Sequence, residues 1–269
     1  PDTRSGRLMD LVTSVVLEWL EQHLWPLTRV SSMIMSMALF SGTIVNSRIK
    51  IFLSLAIILA VSPALPEVDA GVEMMSVGGF VVTAQQVVIG VALGLLSILF
   101  LQTFVLGGQI IAMQIGLGFA SMVDPTNGQQ VPVIAQFFLM LASLVFLAFD
   151  GHLLMIHMVV ASFDAIPVGM TGLDADALFA VAEWGVYMFS AALTAMLSGV
   201  IALLLINLSF GVMTRAAPQL NIFAIGFPIT MVSGLVVVWL TMGGFIFHFE
   251  NQWARVVQTM CEILGSQCA

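Results

Sequence analysis

Few side chains in this sequence are suited to chemistry, and their spacing limits what they can do. The four histidines are His23, His152, His157 and His248. His152 and His157 lie about 140° apart around a helix, poorly placed to share a metal ion. Cys261 and Cys268 are the only cysteines. Two thiols fall short of the four ligands of a structural zinc site. They can pair if their segment faces an oxidising compartment, but nothing in the sequence requires it. No HExxH, GxSxG, phosphate-binding loop or dinucleotide-binding glycine pattern occurs. The sequence therefore predicts no catalytic residue, no metal site and no cofactor, and the protein reads as something other than an enzyme.

The charges point the same way. The basic residues are Arg4, Arg7, Arg29, Arg48, Lys50, Arg215 and Arg255, with none between Ile51 and Thr214. A net charge of −8 and the lack of any basic run exclude nucleic-acid binding. The acids gather at Glu67, Asp69 and Glu73 and at Asp164, Asp174, Asp176 and Glu183, between apolar runs, as solvated loops do. Asp124 and Asp150 sit at turn signals. Glu183 lies near a helix start, and Arg29 follows Pro26 near an interface, where it can snorkel. No acid and base share one face in the middle of an apolar run, which argues against a proton-coupled transporter.

The polar residues that remain are uncharged. Gln85, Gln86, Gln102, Gln109, Gln114, Gln136 and Asn207 need partners at membrane depth, and most read as glue between helices. Of the eighteen methionines, most read as ordinary core. Met113 and Met122 differ: they flank a glycine-rich stretch, residues 106–123, where soft side chains on a mobile backbone suit a deformable seal.

The elements that must position these residues are membrane helices. Of 269 residues, 60% are hydrophobic and 8% charged, and the mean hydropathy is +1.09. Soluble domains run at about 45–50% apolar and about 25% charged. The chain is read as a polytopic membrane protein. Residues 1–8 carry Asp2, Arg4 and Arg7 ahead of Met9, where the regular apolar pattern opens, and are read as a non-native leader. Residues 11–27 suggest an amphipathic helix broken or kinked at Pro26. Further helices are expected over 30–40, 51–64, 77–104, 133–149, 153–163, 178–211 and 223–249, with a polar tail after 250 that holds a short amphipathic helix over 253–264. Residues 74–123 carry no formal charge. The positive-inside rule places Arg48, Lys50 and Arg215 in the cytoplasm and the acidic loops outside, with six passes and both ends outward.

Several segments resemble one family in order. They are Trp25-Pro26-Leu27-Thr28-Arg29, Arg48-Ile49-Lys50, Pro63-Ala64-Leu65-Pro66, the run from Gln109 through Met113, Gly116, Gly118 and Phe119 to Asp124-Pro125, Asn127-Gly128, Asp150-Gly151-His152-Leu153-Leu154, and the run Arg215-Ala-Ala-Pro-Gln-Leu-Asn-Ile-Phe-Ala-Ile-Gly-Phe-Pro228. The chain resembles the FliR family, flagellar biosynthetic proteins of the type III secretion export apparatus. Asp150 departs from the family, which has Asn before this Gly-His pair. The resemblance implies an all-α membrane protein of about six long, partly kinked helices forming hairpins, one subunit of a helical export-gate complex. It implies that residues 9–176 are similar to FliP, that residues 177–249 form a hairpin similar to FliQ, and that residues 250–269 are a tail. The implied partners are FliP, FliQ and FlhB homologues, exported unfolded flagellar subunits and membrane lipid. The implied location is the flagellar basal body in the bacterial inner membrane, with part of the complex projecting toward the periplasm.

The resemblance also implies a plug loop in the pore over about 106–123, carried by Ile110, Met113, Gln114, Ile115, Gly116, Leu117, Gly118, Phe119 and Met122. Arg215, Pro218, Gln219 and Asn221 would form the cytoplasmic hairpin turn that contacts partners. The rival reading is a small-solute channel or transporter acting as a homo-oligomer. It is disfavoured because no duplicated halves with matching broken helices appear.

Overall fold

The computed structural model describes residue 19 and residues 22–42, 45–66, 72, 74–117, 132–169, 171–216 and 226–265. Among these the chain is helical, with no strand. Helix α1 covers residues 22–36, and one further turn, Ala38–Ser41, follows it. Then come α2 (Ser47–Val61), α3 (Val77–Ile115), α4 (Val133–Ala148), α5 (Gly151–Ala165), α6 (Ala175–Ala216), α7 (Phe227–Thr241) and α8 (Phe245–Leu264). Short 3-10 turns extend α2 over Ser62–Ala64 and join α7 to α8 over Met242–Gly244.

Two compact units are present: Pro1–Ile98 with Asp150–Ala182 and Gln258–Ala269, and Leu99–Phe149 with Glu183–Val257. In the first, α1 and α3 run parallel at close range. The Trp25 indole donates to Thr83 Oγ1 at 3.1 Å, and Ser97 Oγ accepts from the Ala38 amide at 3.0 Å. Between these points Gly90 faces Ser32 and the Arg29 carbonyl, and Gly94 faces Ser36 and the Met33 carbonyl. Four residues apart, the two glycines form one smooth ridge on α3 that lets the helix backbones meet.

In the second unit an aromatic cluster joins α3, α4 and α8. Phe100 lies 5.0 Å from Phe249 and 5.3 Å from Trp253, Phe104 lies 5.1 Å from Phe245, and Phe146 lies 5.1 Å from Trp253, all between ring centroids. Such pairs add about 0.5–1.5 kcal/mol each beyond their buried area.

Four described helical runs are long and apolar enough to cross a membrane: Ser47–Ala64, Val77–Ile115, Ala175–Ala216 and Phe227–Leu264, with a fifth if the bent pair α4–α5 counts as one span. Among the described residues the expected six passes number four or five, and the described part of α1, residues 22–36, is not among them. Of the break or kink expected at Pro26, the break does not occur. Helix α1 continues through Pro26, with Thr28 Oγ1 donating to the Trp25 carbonyl at 2.7 Å. Its contacts to α3 override the local preference of proline. The break falls at Met37, whose backbone is extended (φ −69°, ψ 137°). The short amphipathic helix expected over 253–264 is present as the last part of α8, which starts earlier, at Phe245, and buries Val256, Met260, Ile263 and Leu264.

Asp150 separates α4 from α5 with a left-handed φ of 54°. Its carbonyl accepts from the Leu153 and Leu154 amides at 2.9 and 3.0 Å and starts α5. Asp and Asn tolerate this conformation better than other residues with a Cβ, and Gly is at ease in it. Asp150→Gly and Asp150→Asn are therefore expected to leave detergent-solubilised stability unchanged, and Asp150→Val to lower it by about 1–2 kcal/mol. Gly90→Val, whose branched side chain would strike Ser32 and the Arg29 carbonyl, should lower it by at least ~3 kcal/mol. Thermal unfolding of each purified variant measures both.

Candidate functional site

The most concentrated polar chemistry lies where α1, α3 and α5 meet in the first unit. Arg29 is fully buried. Its Nε donates to Gln86 Oε1 at 2.7 Å. Nη1 donates to the Ser162 carbonyl at 2.8 Å and to Ser162 Oγ at 3.0 Å, and Nη2 donates to the Ile166 carbonyl at 2.8 Å. The guanidinium carbon stands 4.2 Å from the centroid of the Phe163 ring. None of these partners is a carboxylate. The carbonyls of Ser162, which also accepts from the Ile166 amide at 2.9 Å, and of Ile166 belong to the end of α5, where helical donors run out and the helix dipole is negative. Arg29 therefore caps α5 from another helix, and its planar fork reaches α3 and the end of α5 at once. Helix α1 lies outside the candidate spans, and burial lowers the guanidinium from its usual value to about 9, so it stays protonated at neutral pH.

The sequence reading placed Arg29 at an interface with its head in water. The structure encloses it instead. The signal available was the coincidence of a lone arginine in one apolar helix with Gln86 in another, since each needs a partner when buried.

The seal residues divide between two settings. Ile110, Met113, Gln114 and Ile115 are helical, because α3 continues to Ile115. The loop expected from residue 106 thus begins ten residues later. Gly107 and Gly108, which suggested a mobile backbone, are contact points: Gly107 faces Met196 of α6, and Gly108 faces Ala135 and Phe138 of α4. Helix α3 ends at Gly116, with φ of +90°. The Leu117 amide donates to the Ala112 carbonyl at 3.0 Å and the Gly116 amide to the Met113 carbonyl at 3.1 Å, the pattern of a glycine-terminated helix.

Near this end Ile115 is buried against Gly234 of α7, Ile111 meets Gly199 of α6, and Asn207 Nδ2 donates to the Gln114 carbonyl at 3.0 Å. Met113 is 69% exposed. Gly118, Phe119 and Met122 lie outside the described residues. Arg215 sits exposed in the last turn of α6, where a cation suits the helix dipole. Pro218, Gln219 and Asn221 lie outside the described residues. Among the described residues no group of His, Cys, Asp and Glu could hold a metal ion.

These features define an all-α, polytopic membrane protein. Residues 20–256 match the family described as Bacterial export proteins, family 1. The chain is 36% identical over 249 residues to the flagellar biosynthetic protein FliR of Pectobacterium carotovorum subsp. carotovorum, covering 93% of this chain and 95% of that protein. It is 34% identical over 258 residues to the FliR of Escherichia coli (strain K12), covering 96% and 98%. It is 25% identical over 249 residues to the FliR of Aquifex aeolicus (strain VF5), covering 91% and 93%. The chain belongs to the FliR family of bacterial export proteins, and it is accordingly a membrane protein of flagellar export.

Arg29→Met removes every donor of the clamp and leaves the Gln86, Ser162 and Ile166 oxygens without it. We expect a loss of about 3 kcal/mol in stability. Arg29→Lys keeps the charge without the fork and should recover less than half of that loss. Thermal unfolding in detergent checks both, and a Lys variant as stable as the parent would contradict the clamp.

Proposed function

We propose that this chain is one subunit of the flagellar type III export gate in the bacterial inner membrane. It assembles with FliP-type and FliQ-type subunits around a pore for unfolded flagellar proteins, and an FlhB-type protein docks on its cytoplasmic side. Residues 9–176 take the FliP-like place, and residues 177–249 form the FliQ-like hairpin.

The observation that carries this reading is the length of apolar surface left uncovered on α6. Large apolar side chains from Leu178 and Phe179 through Phe189 and Ile201 to Leu208 and Val212 are exposed. That strip spans roughly 50 Å at 1.5 Å per residue, while a bilayer core is about 30 Å thick. In its most apolar stretch α6 is 28% buried, as is the α7–α8 run, against 61% for α3. Sister subunits supply the cover that lipid does not reach.

The seal sits at the end of α3. Ile110, Met113, Gln114 and Ile115 form its fixed base, and Gly116, Leu117, Gly118, Phe119 and Met122 its moving part. It closes the resting pore to ions and small solutes and moves aside for a secreted chain. Arg215, Pro218, Gln219 and Asn221 form the cytoplasmic turn that meets the FliQ-type and FlhB-type partners.

Two experiments test this reading. Purified in mild detergent from cells making the whole apparatus, the chain should appear by native mass measurement as one copy in a heteromeric complex. A stable homo-oligomer would point to a small-solute channel instead. Deleting residues 117–123 should raise ion and solute leakage while the complex still assembles. The deletion must spare residues 110–115, because Ile111, Ala112 and Ile115 are buried and anchor α3. A deletion mutant as tight as the parent would remove the plug assignment.

A further inference from the structure

Helix α2 carries two cations in its first turn. Asn46 Oδ1 accepts from the Arg48 amide at 3.1 Å, which fixes where the helix begins and so where Arg48 and Lys50 stand. The two differ in setting. Arg48 is exposed, and its guanidinium has no partner among the described residues. Lys50 heads the buried face, above Ser54 and Ile58, and its Nζ donates to the Gly42 carbonyl at 3.4 Å, a long bond for an ammonium with three donors. Helical side chains lean toward the N-terminus, so both cationic heads lie toward the loop side of α2. Residues 22–66 contain no Asp or Glu. Two positive charges thus share one level of the helix, with no acid in that stretch to balance them.

From Arg48 an apolar stripe runs along the same face. Phe52, Leu55 and Leu59 follow it at helical spacing and are 69%, 39% and 53% exposed. Ile49 and Ile51 are exposed beside them. From Arg48 to Leu59 the stripe is roughly 16 Å long, close to the ~15 Å depth of one leaflet of a bilayer core. The whole run Ser47–Ala64 has 18 residues. At roughly 27 Å it fits a core of about 30 Å with no excess. Only 17% of it is buried by the chain itself. This separates α2 from α6, whose strip is too long for lipid to cover. On α2 lipid alone suffices.

We infer that the Arg48 end of α2 is a binding site for an anionic phospholipid. The Arg48 guanidinium takes the headgroup phosphate, whose geometry its planar fork matches. Lys50 adds a second positive charge at the same level while it holds the Gly42 carbonyl. One acyl chain lies along Phe52, Leu55 and Leu59. A zwitterionic headgroup brings its own ammonium to this level and gains less from the two cations. Each Lys or Arg near an anionic membrane surface strengthens the attraction about fivefold. Lipid binding at α2 does not depend on the export-gate reading, which α6 carries.

The test uses the full chain, purified in mild detergent and mixed with equal amounts of phosphatidylglycerol and phosphatidylethanolamine. Native mass measurement counts the lipids that each molecule retains. The parent should prefer phosphatidylglycerol at least about fivefold. Arg48→Gln, at an exposed position, should lower that preference about fivefold, and Arg48→Lys should keep most of it. Equal retention of the two lipids by the parent, or an unchanged preference in Arg48→Gln, would overturn the site. So would Arg215→Gln if it lowered the preference as much, since the effect would then be one of overall charge. A second arm identifies the occupant in cells making the whole apparatus. Phe52 is replaced by the photoreactive p-benzoylphenylalanine and the cells are irradiated. A lipid-sized gain in mass is expected, and a protein-sized gain would put a sister subunit there instead and overturn the proposal. Neither arm reads complex stoichiometry or leakage, so failure here is distinct from failure of the export-gate reading.

Discussion

The first unit depends on a buried cation, Arg29, whose partners among the described residues include no anion. Arg29 is enclosed by α1, α3 and α5, and what offsets its charge is a set of oxygen dipoles: Gln86 Oε1, Ser162 Oγ, and the carbonyls of Ser162 and Ile166. Desolvating a guanidinium costs several kcal/mol, and only dense hydrogen bonding in good geometry recovers it. The end of α5 faces the complementary problem, since helical donors run out there and the last that reaches the Ser162 carbonyl is the Ile166 amide. Each group removes the other's penalty. A carboxylate in place of Gln86 would satisfy the charge but add a second ion to desolvate. A neutral amide leaves the arginine free to serve the carbonyls as well.

The long helix α3 meets its neighbours through glycines in each unit. On its first half Gly90 and Gly94 admit the backbone of α1; on its second half Gly107 and Gly108 admit α6 and α4. The glycines lie in the helix interior, where each costs roughly 0.5–1 kcal/mol relative to alanine. That cost is met by the dispersion contacts that closer backbones allow, which matter most where lipid weakens any hydrophobic drive between helices. Of the glycines along α3, Gly116 alone uses its conformational freedom, and there α3 stops.

This distinction marks the limit of what the sequence reveals. The apolar composition, the helices from 47 onward and the break at Asp150-Gly151 are legible from hydropathy and turn chemistry, because those are local properties. The continuation of α3 through Gly107 and Gly108 is not. A glycine pair reads the same whether it frees a backbone or lets another backbone approach, and only the neighbours Met196 and Ala135 decide. The burial of Arg29 is hidden for a similar reason, since Ser162 and Ile166 lie more than 130 residues away in the chain. The amphipathic end of α8 over 253–264 is legible, whereas its start at Phe245 is hidden inside the apolar run of 223–249.

Tilt does not remove the excess length of α6. Fitting an apolar strip of roughly 50 Å into a core of about 30 Å requires a tilt of more than 50°, whereas membrane helices tilt by about 20° on average and up to about 40°. The strip is continuous, so neither end can be assigned to water without exposing residues such as Phe179 or Val212. Lipid covers one part at most. The remainder calls for protein, and protein of the same apolar character as α6 itself. Arg29 fits this arrangement: a clamp that fixes α1, α3 and α5 within the chain lets the first unit keep its form while α6 and the α7–α8 run stay open to neighbours.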